Sequence, residues 1–169
     1  MVHAHAHAHH RHDVGTIAAA VITVSDTRTI ADDASGAAIV EALRAAGHET
    51  SLRLLVRDDR VEITRALDVA LAQHARLIVL TGGTGIAPRD VTIEAIAPRF
   101  DKTLDGFGEA LRRLSWDQVG AKSILSRAVA GTIGRALVVA LPGSERGVEL
   151  AMTELVVPIA RHAIGLLGD

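Results

Sequence analysis

Cysteine is absent from the 169-residue chain, so disulfide bonds and thiolate chemistry are excluded. Aromatic residues are nearly absent as well, since the chain has only Phe100, Phe107 and Trp116. The hydrophobic residues, 49% of the total, are therefore mostly Ala, Val, Leu and Ile. This composition suits buried parallel strands covered by Ala-rich helices. We expect Trp116 to lie in the core.

Long apolar runs and an excess of one charge sign are also missing. No apolar run reaches the roughly 18 residues of a membrane span, and the formal net charge is -2 with neutral histidines. The sequence therefore predicts neither a membrane partner nor a nucleic-acid partner. The N-terminus lacks the basic patch and long apolar core of a secretory signal, so a cytoplasmic location is the default expectation.

The first 13 residues form a His-rich segment that holds six of the nine histidines. Imidazole binds zinc, nickel and copper, so this segment has the chemistry of a metal-binding tail. A disordered extension or an expression tag explains it as well, and we favour that interpretation because nothing nearby would make a metal site rigid. We therefore expect a disordered tail at residues 1–13 and one folded domain at residues 14–169.

Strand and helix patterns alternate in the first half of that domain. The runs at residues 16–24, 48–56 and 75–81 predict buried strands, and those at 35–46 and 60–74 predict helices. Asp32 or Asp33 is expected to cap the first helix, and Asp58 or Asp59 the second. The β-α-β-α-β order with short connections predicts a parallel sheet with right-handed crossovers.

The second half continues with a short helix at residues 91–98 and a longer helix after Gly106. Two strand candidates lie on either side of residues 131–135, close enough in sequence to pair antiparallel. A last helix is expected from residue 142 onward, and Pro158 should kink or split it. The predicted fold class is therefore a three-layer α/β/α sandwich, with a mostly parallel sheet and an antiparallel strand.

Four polar or glycine-rich loops follow strands of this predicted sheet. They are "SDTR" after the first strand, "VRDD" after the second, "TGGTG" after the third and "LPGS" after "ALVVA". Because ligands of open α/β sheets bind outside the carboxyl ends of the strands, these loops predict a binding site at one edge of the sheet.

The "TGGTG" loop has the properties of a phosphate-binding loop. Glycines at 82, 83 and 85 let a ligand approach the backbone closely, and Thr81 and Thr84 add hydroxyl donors. The spacing matches neither the dinucleotide-binding fingerprint nor the P-loop, and no lysine follows the glycines. A tight turn would need only one glycine, so three favour a ligand loop.

Asp58 and Asp90 follow the second and third strands, and two interpretations of them stay open at this point. Both could be plain helix caps. A pair of carboxylates beside a phosphate loop could instead hold Mg²⁺, which binds one or two carboxylates together with substrate phosphates.

Five motifs taken in order resemble the molybdenum-cofactor biosynthesis proteins of the MoaB/MogA type. They are "TVSDTR", "LTGGTGIAPRDVTIEAI", "DGFGEALRRLS", "ILSRAVAG" and "LPGS". The resemblance spans residues 18–164, and its later motifs are closer to the MoaB branch. The family includes molybdopterin adenylyltransferases.

The resemblance implies a MogA-like molybdopterin-binding fold that assembles as a homotrimer or homohexamer, and contact with other proteins of the pathway. It also implies that ATP and molybdopterin react, with Mg²⁺, to give adenylyl-molybdopterin and pyrophosphate. Asp58 and Asp90 match the family's two catalytic acidic positions and would be the Mg²⁺ ligands. The residues that match the family's pterin and nucleotide loops are Ser25, Asp26, Thr81, Gly82, Gly83, Thr84, Gly85, Ser126, Pro142, Gly143 and Ser144.

One departure from the adenylyltransferase pattern supports a second hypothesis. MogA-type members often have Asn before "LPG", where this chain has Ala140. Some members of the MoaB branch bind or assemble without clear adenylyl-transfer activity. The alternative to an active enzyme is therefore a pterin-binding protein that lacks the transferase activity, and a third hypothesis is a subunit that contributes only to assembly.

Overall fold

The computed structural model describes residues 14–168, so the predicted tail at residues 1–13 lies outside the described residues. The strands are β1 (Ala18–Val24), β2 (Glu49–Val56), β3 (Leu77–Thr81), β4 (Lys102–Thr103), β5 (Val129–Ile133) and β6 (Ala136–Leu141). The α-helices are α1 (Ala34–Ala45), α2 (Arg60–Ala72), α3 (Thr92–Ile96), α4 (Asp105–Val119), α5 (Glu145–Ala151) and α6 (Val157–Leu166). Within this part of the chain no helix has both the length and the apolar character to cross a bilayer.

All six strands form one sheet in the order β2-β1-β3-β6-β5-β4. The pairs β1–β2, β1–β3 and β3–β6 are parallel, whereas β5 is antiparallel to β6 and β4 is antiparallel to β5. Among the described strands β5 alone therefore runs against the others. This confirms the predicted α/β fold with a mostly parallel sheet and an antiparallel strand.

Alternation along the central strands divides the core into two layers. In β1, Ala19 and Val21 pack on one face of the sheet, while Ala20 and Ile22 pack on the other. Helices α1, α4, α5 and α6 cover the first face, and α2 and α3 cover the second. Strands buried on both faces need apolar residues at every position, which is why the sequence reads there as continuous apolar runs.

The structure differs from the sequence-based expectations at a few elements. Trp116 is not in the core, because it lies on the outer side of α4 with 53% of its surface exposed. The two-residue strand β4 and the 3-10 turn at Gly120–Leu125 were not predicted. The two exposed, polar residues of β4 are too few to show the alternating pattern that marks a strand. The last helix is split as expected, by a π-helical turn at Met152–Val156, with Pro158 in the first turn of α6.

The central strands end level with one another, and this alignment brings their loops together. Thr23 of β1 pairs with Thr81 of β3, and Thr81 pairs with Leu141 of β6. The loops that follow these three strands therefore leave the sheet at one edge, as the sequence predicts.

Asp33 fixes the first of these loops to the body of the protein. Its buried carboxylate caps α1 by accepting from Gly36 N at 2.9 Å, and it also accepts from Thr23 Oγ1 at 2.7 Å and from Arg53 Nη2 at 3.0 Å. Burial acts to raise the pKa of Asp33, but these hydrogen bonds and the charge of Arg53 outweigh it and hold the pKa below 3.8.

We expect Asp33→Ala to destabilise the protein by roughly 3 kcal/mol, because it removes a helix cap and leaves a partly buried guanidinium without its partner. The contribution is present above the ordinary pKa and is lost as the pH falls through the depressed folded-state pKa. Denaturant unfolding at pH 7 measures the effect. Asp59→Ala, which removes an exposed cap of α2, is the matched control and should cost only about 1 kcal/mol. Equal losses in the two variants would contradict this account.

Candidate functional site

Backbone contacts join the loops at this edge of the sheet. Ser25 N donates to Val56 O at 2.9 Å, which ties the loop after β1 to the end of β2. Gly82 N donates to Leu141 O at 3.2 Å, which ties the glycine loop to the end of β6. The loops that the sequence singled out are thus joined in two pairs, those after β1 and β2 and those after β3 and β6.

Gly83 is glycine because two protein side chains occupy the space of a side chain. Its φ is 61°, in the left-handed region that favours glycine. A β-carbon added there would lie 2.7 Å from both carboxylate oxygens of Asp58, and closer still to Thr92 Oγ1. Thr92 Oγ1 in turn donates to Gly82 O at 2.8 Å. The loop thus packs directly against the Asp58 carboxylate and the first residue of α3.

Gly85 plays the same part for Asp90. A β-carbon at Gly85 would lie 2.6 Å from Asp90 Oδ2. The same oxygen accepts from Ala87 N at 2.9 Å, so the carboxylate folds back onto its own loop. Asp90 does not cap α3, because the N-cap position is Val91 and no side chain caps that helix.

Asp58 is not a helix cap either. Asp59 caps α2, accepting from Val61 N at 2.9 Å and from Glu62 N at 3.0 Å. Asp58 instead reaches to the start of α3, where its Oδ1 accepts from Val91 N at 3.1 Å. Of the two interpretations that the sequence left open, the structure therefore rules out capping for both aspartates.

The two aspartates line one small cleft, which we call the acidic cleft. Its volume is about 160 Å³, and its lining residues are Val24, Ser25, Asp26, Thr27, Asp58, Gly83, Arg89 and Asp90. Burial raises the pKa of Asp58 above 3.8, and the negative charges of Asp90 and Asp26 raise it further, against the hydrogen bond from Val91 N and the charge of Arg89. The Asp58 carboxylate thus lies close enough to the negative charges of Asp90 and Asp26 to be destabilised by them.

A second cleft adjoins the first and shares Val24, Ser25 and Thr27 with it. This hydroxyl cleft has a volume of about 210 Å³, and its lining residues are Thr23, Val24, Ser25, Thr27, Arg28, Thr81, Gly82 and Gly143. The buried Ser35 holds Arg28 in place, because Ser35 Oγ accepts from Arg28 Nη1 at 3.1 Å and donates to Gly143 O at 2.9 Å. Hydroxyls, bare glycine backbone and a guanidinium suit a phosphate-bearing ligand.

Five of the predicted ligand residues line neither cleft: Gly85, which packs against Asp90, and four others. Thr84 is buried and its hydroxyl donates to Leu141 O at 3.4 Å. The carbonyl of Pro142 accepts from Thr81 Oγ1 at 2.8 Å, and Ser144 caps α5. Ser126 Oγ accepts from Ala128 N at 3.4 Å, at the start of the β5 region. The ligand contacts of these five residues, like those of the residues that line the clefts, stay predictions.

Several residues that line the clefts were not among the predicted site residues. Thr23, Thr27 and Arg28 stand in or beside the "SDTR" motif, and Arg89 precedes Asp90. The sequence signal that could have identified them as site residues was their position in or next to the quoted motifs. Arg127, which contacts the glycine loop, was not among the predicted site residues either. Its partner Gly85 is 42 residues away in the sequence, and a local sequence pattern does not reveal such a long-range contact.

Comparison with known proteins identifies the family of the chain. Residues 20–162 match the family described as "Probable molybdopterin binding domain". The chain belongs to this molybdopterin-binding domain family. Its MoaB/MogA resemblance is thereby confirmed.

The relatives share both sequence and fold with this member of the family. The chain is 46% identical over 151 residues to molybdenum cofactor biosynthesis protein B of Staphylococcus carnosus, covering 88% of this chain and 89% of the relative. It superposes on the tungsten cofactor synthesizing protein MoaB from Pyrococcus furiosus with a TM-score of 0.84 and 38% identity, covering 91% and 98% of the two chains. The molybdopterin biosynthesis Mog protein from Mycobacterium ulcerans gives a TM-score of 0.82 at 31% identity, with coverage of 90% and 100%.

The donor set of the acidic cleft suits a metal that completes its coordination with ligand oxygens. In residues 14–168 no group of three or more histidine or acidic side chains is arranged as a metal site. Mg²⁺ needs fewer protein ligands, because it binds through one or two carboxylates plus water and substrate phosphates. A bound divalent cation would relieve the repulsion that the Asp58 carboxylate experiences from Asp90 and Asp26.

We expect Asp58→Asn to raise the thermal stability at pH 7. Because the folded-state pKa of Asp58 is raised, the native protein binds more protons than the unfolded chain between pH 3.8 and that pKa, and stability falls as the pH rises through this window. Asn removes the charge and can still accept from Val91 N. The gain should be at most a few degrees, since 1 kcal/mol corresponds to about 2–4 °C for a domain of this size.

Calorimetric Tm values at pH 7 and near pH 4 measure this effect. The gain should shrink toward pH 4, and the control Asp59→Asn should leave Tm unchanged, because Asn caps a helix about as well as Asp. A fall of several degrees in Asp58→Asn at pH 7 would show that the carboxylate stabilises the fold.

Proposed function

We propose that this protein binds molybdopterin and transfers the adenylyl group of ATP to it, giving adenylyl-molybdopterin and pyrophosphate with Mg²⁺. The observation that carries the proposal is that the Asp58 and Asp90 carboxylates line one cleft and each packs against bare glycine backbone, Asp58 at Gly83 and Asp90 at Gly85. Membership of the molybdopterin-binding domain family supports the pterin substrate. The names of relatives in molybdenum and tungsten cofactor biosynthesis support the pathway.

The reaction balances without a protein nucleophile. An oxygen of the terminal phosphate of molybdopterin attacks the α-phosphorus of ATP. The bond between that phosphorus and the oxygen bridging to the β-phosphate breaks, and pyrophosphate leaves with the electron pair. Such a transfer needs alignment and neutralisation of charge from the protein.

The two clefts divide these tasks between them. Asp58 and Asp90 in the acidic cleft would hold Mg²⁺, which supplies positive charge to the phosphates of ATP. The hydroxyl cleft, with Arg28 at its side, has the donors to bind the terminal phosphate of the pterin. Ser25 lines both clefts, so the attacking and accepting phosphates would meet beside it. Arg89 adds a positive charge on the acidic side.

A pterin-binding protein without transferase activity is the alternative, and Ala140 is the reason to keep it. Adenylyltransferases of the family often have Asn at this position. In the structure Ala140 is fully buried, packs in the α2–α3 layer and lines neither cleft. The suggestion that a ligand contact is lost at Ala140 therefore rests on the family resemblance alone.

The proposal includes assembly into a homotrimer or homohexamer, as the resemblance implies. Apolar side chains on α4 and the following turn are exposed, and a neighbouring chain would cover such a surface. The exposed residues are Trp116, Val119, Ile124 and Leu125.

We expect Asp90→Asn to fold normally and still bind molybdopterin, but to lose adenylyl transfer by about 100-fold, a typical scale for one electrostatic group of a transition state. Asn keeps the shape of the side chain and can still accept from Ala87 N. The assay incubates the full chain with molybdopterin, ATP and Mg²⁺ and follows pyrophosphate release and the adenylylated product. Asp68→Asn, an exposed aspartate of α2, is the control and should stay fully active.

The outcomes separate the three hypotheses. Full activity of Asp90→Asn would overturn the mechanism. A wild-type protein that binds molybdopterin tightly but releases no pyrophosphate would establish the pterin-binding alternative. A wild-type protein that does neither would leave only a role in assembly.

A further inference from the structure

Arg127 connects the β5 region to the glycine loop through the backbone of that loop. Its N–H donates to Thr84 O at 3.2 Å, its Nε to Gly85 O at 2.8 Å and its Nη2 to Asp90 O at 3.0 Å. These acceptors lie at the two ends of the segment 84–90. Arg127, through its backbone N–H and its guanidinium, thus holds both ends of the segment that carries the Asp90 carboxylate.

The charge of Arg127 is met by Glu94, on the helix that follows this segment. Nη1 of Arg127 donates to Glu94 Oε1, and Nη2 lies 3.3 Å from Glu94 Oε2. The hydrogen bond between them raises the pKa of Arg127 and lowers the pKa of Glu94, so both groups are charged at neutral pH. The guanidinium therefore binds two loop carbonyls and a helix α3 side chain in one fork.

Glu94 also links this fork to the loop that carries Asp58. Its carbonyl accepts from Nη2 of Arg60 at 3.1 Å, and Arg60 begins α2 two residues after Asp58. The segments that carry the two site aspartates are thus attached to one residue of α3 from two sides.

Arg127 itself lines neither cleft, so it is not placed to touch the substrates. Any effect on the reaction has to pass through the segment that it holds. The segment 84–90 contains no helix or strand, and the Asp90 carboxylate accepts from Ala87 inside it. The position of that carboxylate therefore depends on the position of the whole segment.

We propose that Arg127 is a positioning residue that fixes the Asp90 carboxylate in the acidic cleft by clamping the segment 84–90 against α3. The effect of Arg127 on catalysis that this inference implies rests on the proposed adenylyl transfer. The clamp itself is a structural property that can be measured without any activity.

The test compares Arg127→Gln and Arg127→Lys with Arg44→Gln in the full chain. Arg44 forms a similar pair with Glu41, but on the exposed face of α1, so it controls for the loss of a guanidinium. Lys keeps the charge but cannot reproduce the planar fork, so it tests the clamp even if the Gln variant does not fold.

The first readout is hydrogen exchange of the backbone amides. In both Arg127 variants the hydrogen-bonded amides in and next to the segment 84–90, those of Ala87, Asp90 and Val91, should exchange at least about tenfold faster, corresponding to about 1.4 kcal/mol, while β1 and β3 stay protected. The Arg44→Gln control should match the wild type throughout. Unchanged exchange in residues 84–91 would overturn the clamp.

The second readout is adenylyl transfer. We expect kcat to fall by about 10- to 100-fold, the scale of a misplaced group, with molybdopterin affinity unchanged. In the Asp90→Asn background, adding Arg127→Gln should lower kcat by less than about twofold, because both substitutions remove the same contribution. The positioning role would be overturned if kcat of the double variant fell by the product of the two single-variant losses, or if the Arg127 variants kept the wild-type kcat. A wild type without transfer would overturn the proposed function alone, and hydrogen exchange would then decide the clamp.

Discussion

At Gly83 the carboxylate of Asp58 occupies the space that a side chain would fill, and at Gly85 the carboxylate of Asp90 does the same. The site depends on these two close contacts. They let the loop after β2 pack against the glycine loop after β3 and let that loop fold back on itself, and they place like charges together at a cost in stability that burial increases. A site of this kind is expected where function requires a charge arrangement that folding alone would avoid.

The surrounding structure holds this arrangement in place. Asp33 attaches the loop after β1 to α1 and to Arg53, and Ser35 connects Arg28 to the loop after β6. Arg127 supports the glycine loop from the opposite side. Two of these groups, Ser35 on α1 and Arg53 on β2, belong to regular elements. The rigid sheet and its covering helices thus help to determine the positions of loops that have no regular structure themselves.

Much of the fold and the shared position of the loops could be predicted from the sequence, because apolar runs and the polar or glycine-rich loops after them are local patterns. Apolar runs predicted the central strands and their alternation with helices along the chain, and the position of each loop after a strand predicted one shared edge. The order of the strands within the sheet was not predicted. The reason for the glycines could not be predicted: the sequence suggested access for a ligand, whereas Gly83 and Gly85 first of all admit protein carboxylates. The roles of Asp58 and Asp59 were also undetermined, since neighbouring aspartates look alike until one is seen to cap α2 and the other to reach Val91. Arg127 acts across a long sequence separation, which no single-sequence pattern records.

The most direct test of this account is the rate of pyrophosphate release by Gly85→Ala with ATP, molybdopterin and Mg²⁺. Gly85 does not have a positive φ, so Ala is compatible with the backbone, but its β-carbon would displace the Asp90 carboxylate. The account predicts a loss of about tenfold or more, a barrier increase of at least about 1.4 kcal/mol. Gly106→Ala, whose β-carbon would meet open space, should keep the wild-type rate. A wild-type rate in Gly85→Ala would contradict the claim that the packing of carboxylates against glycine backbone makes the site.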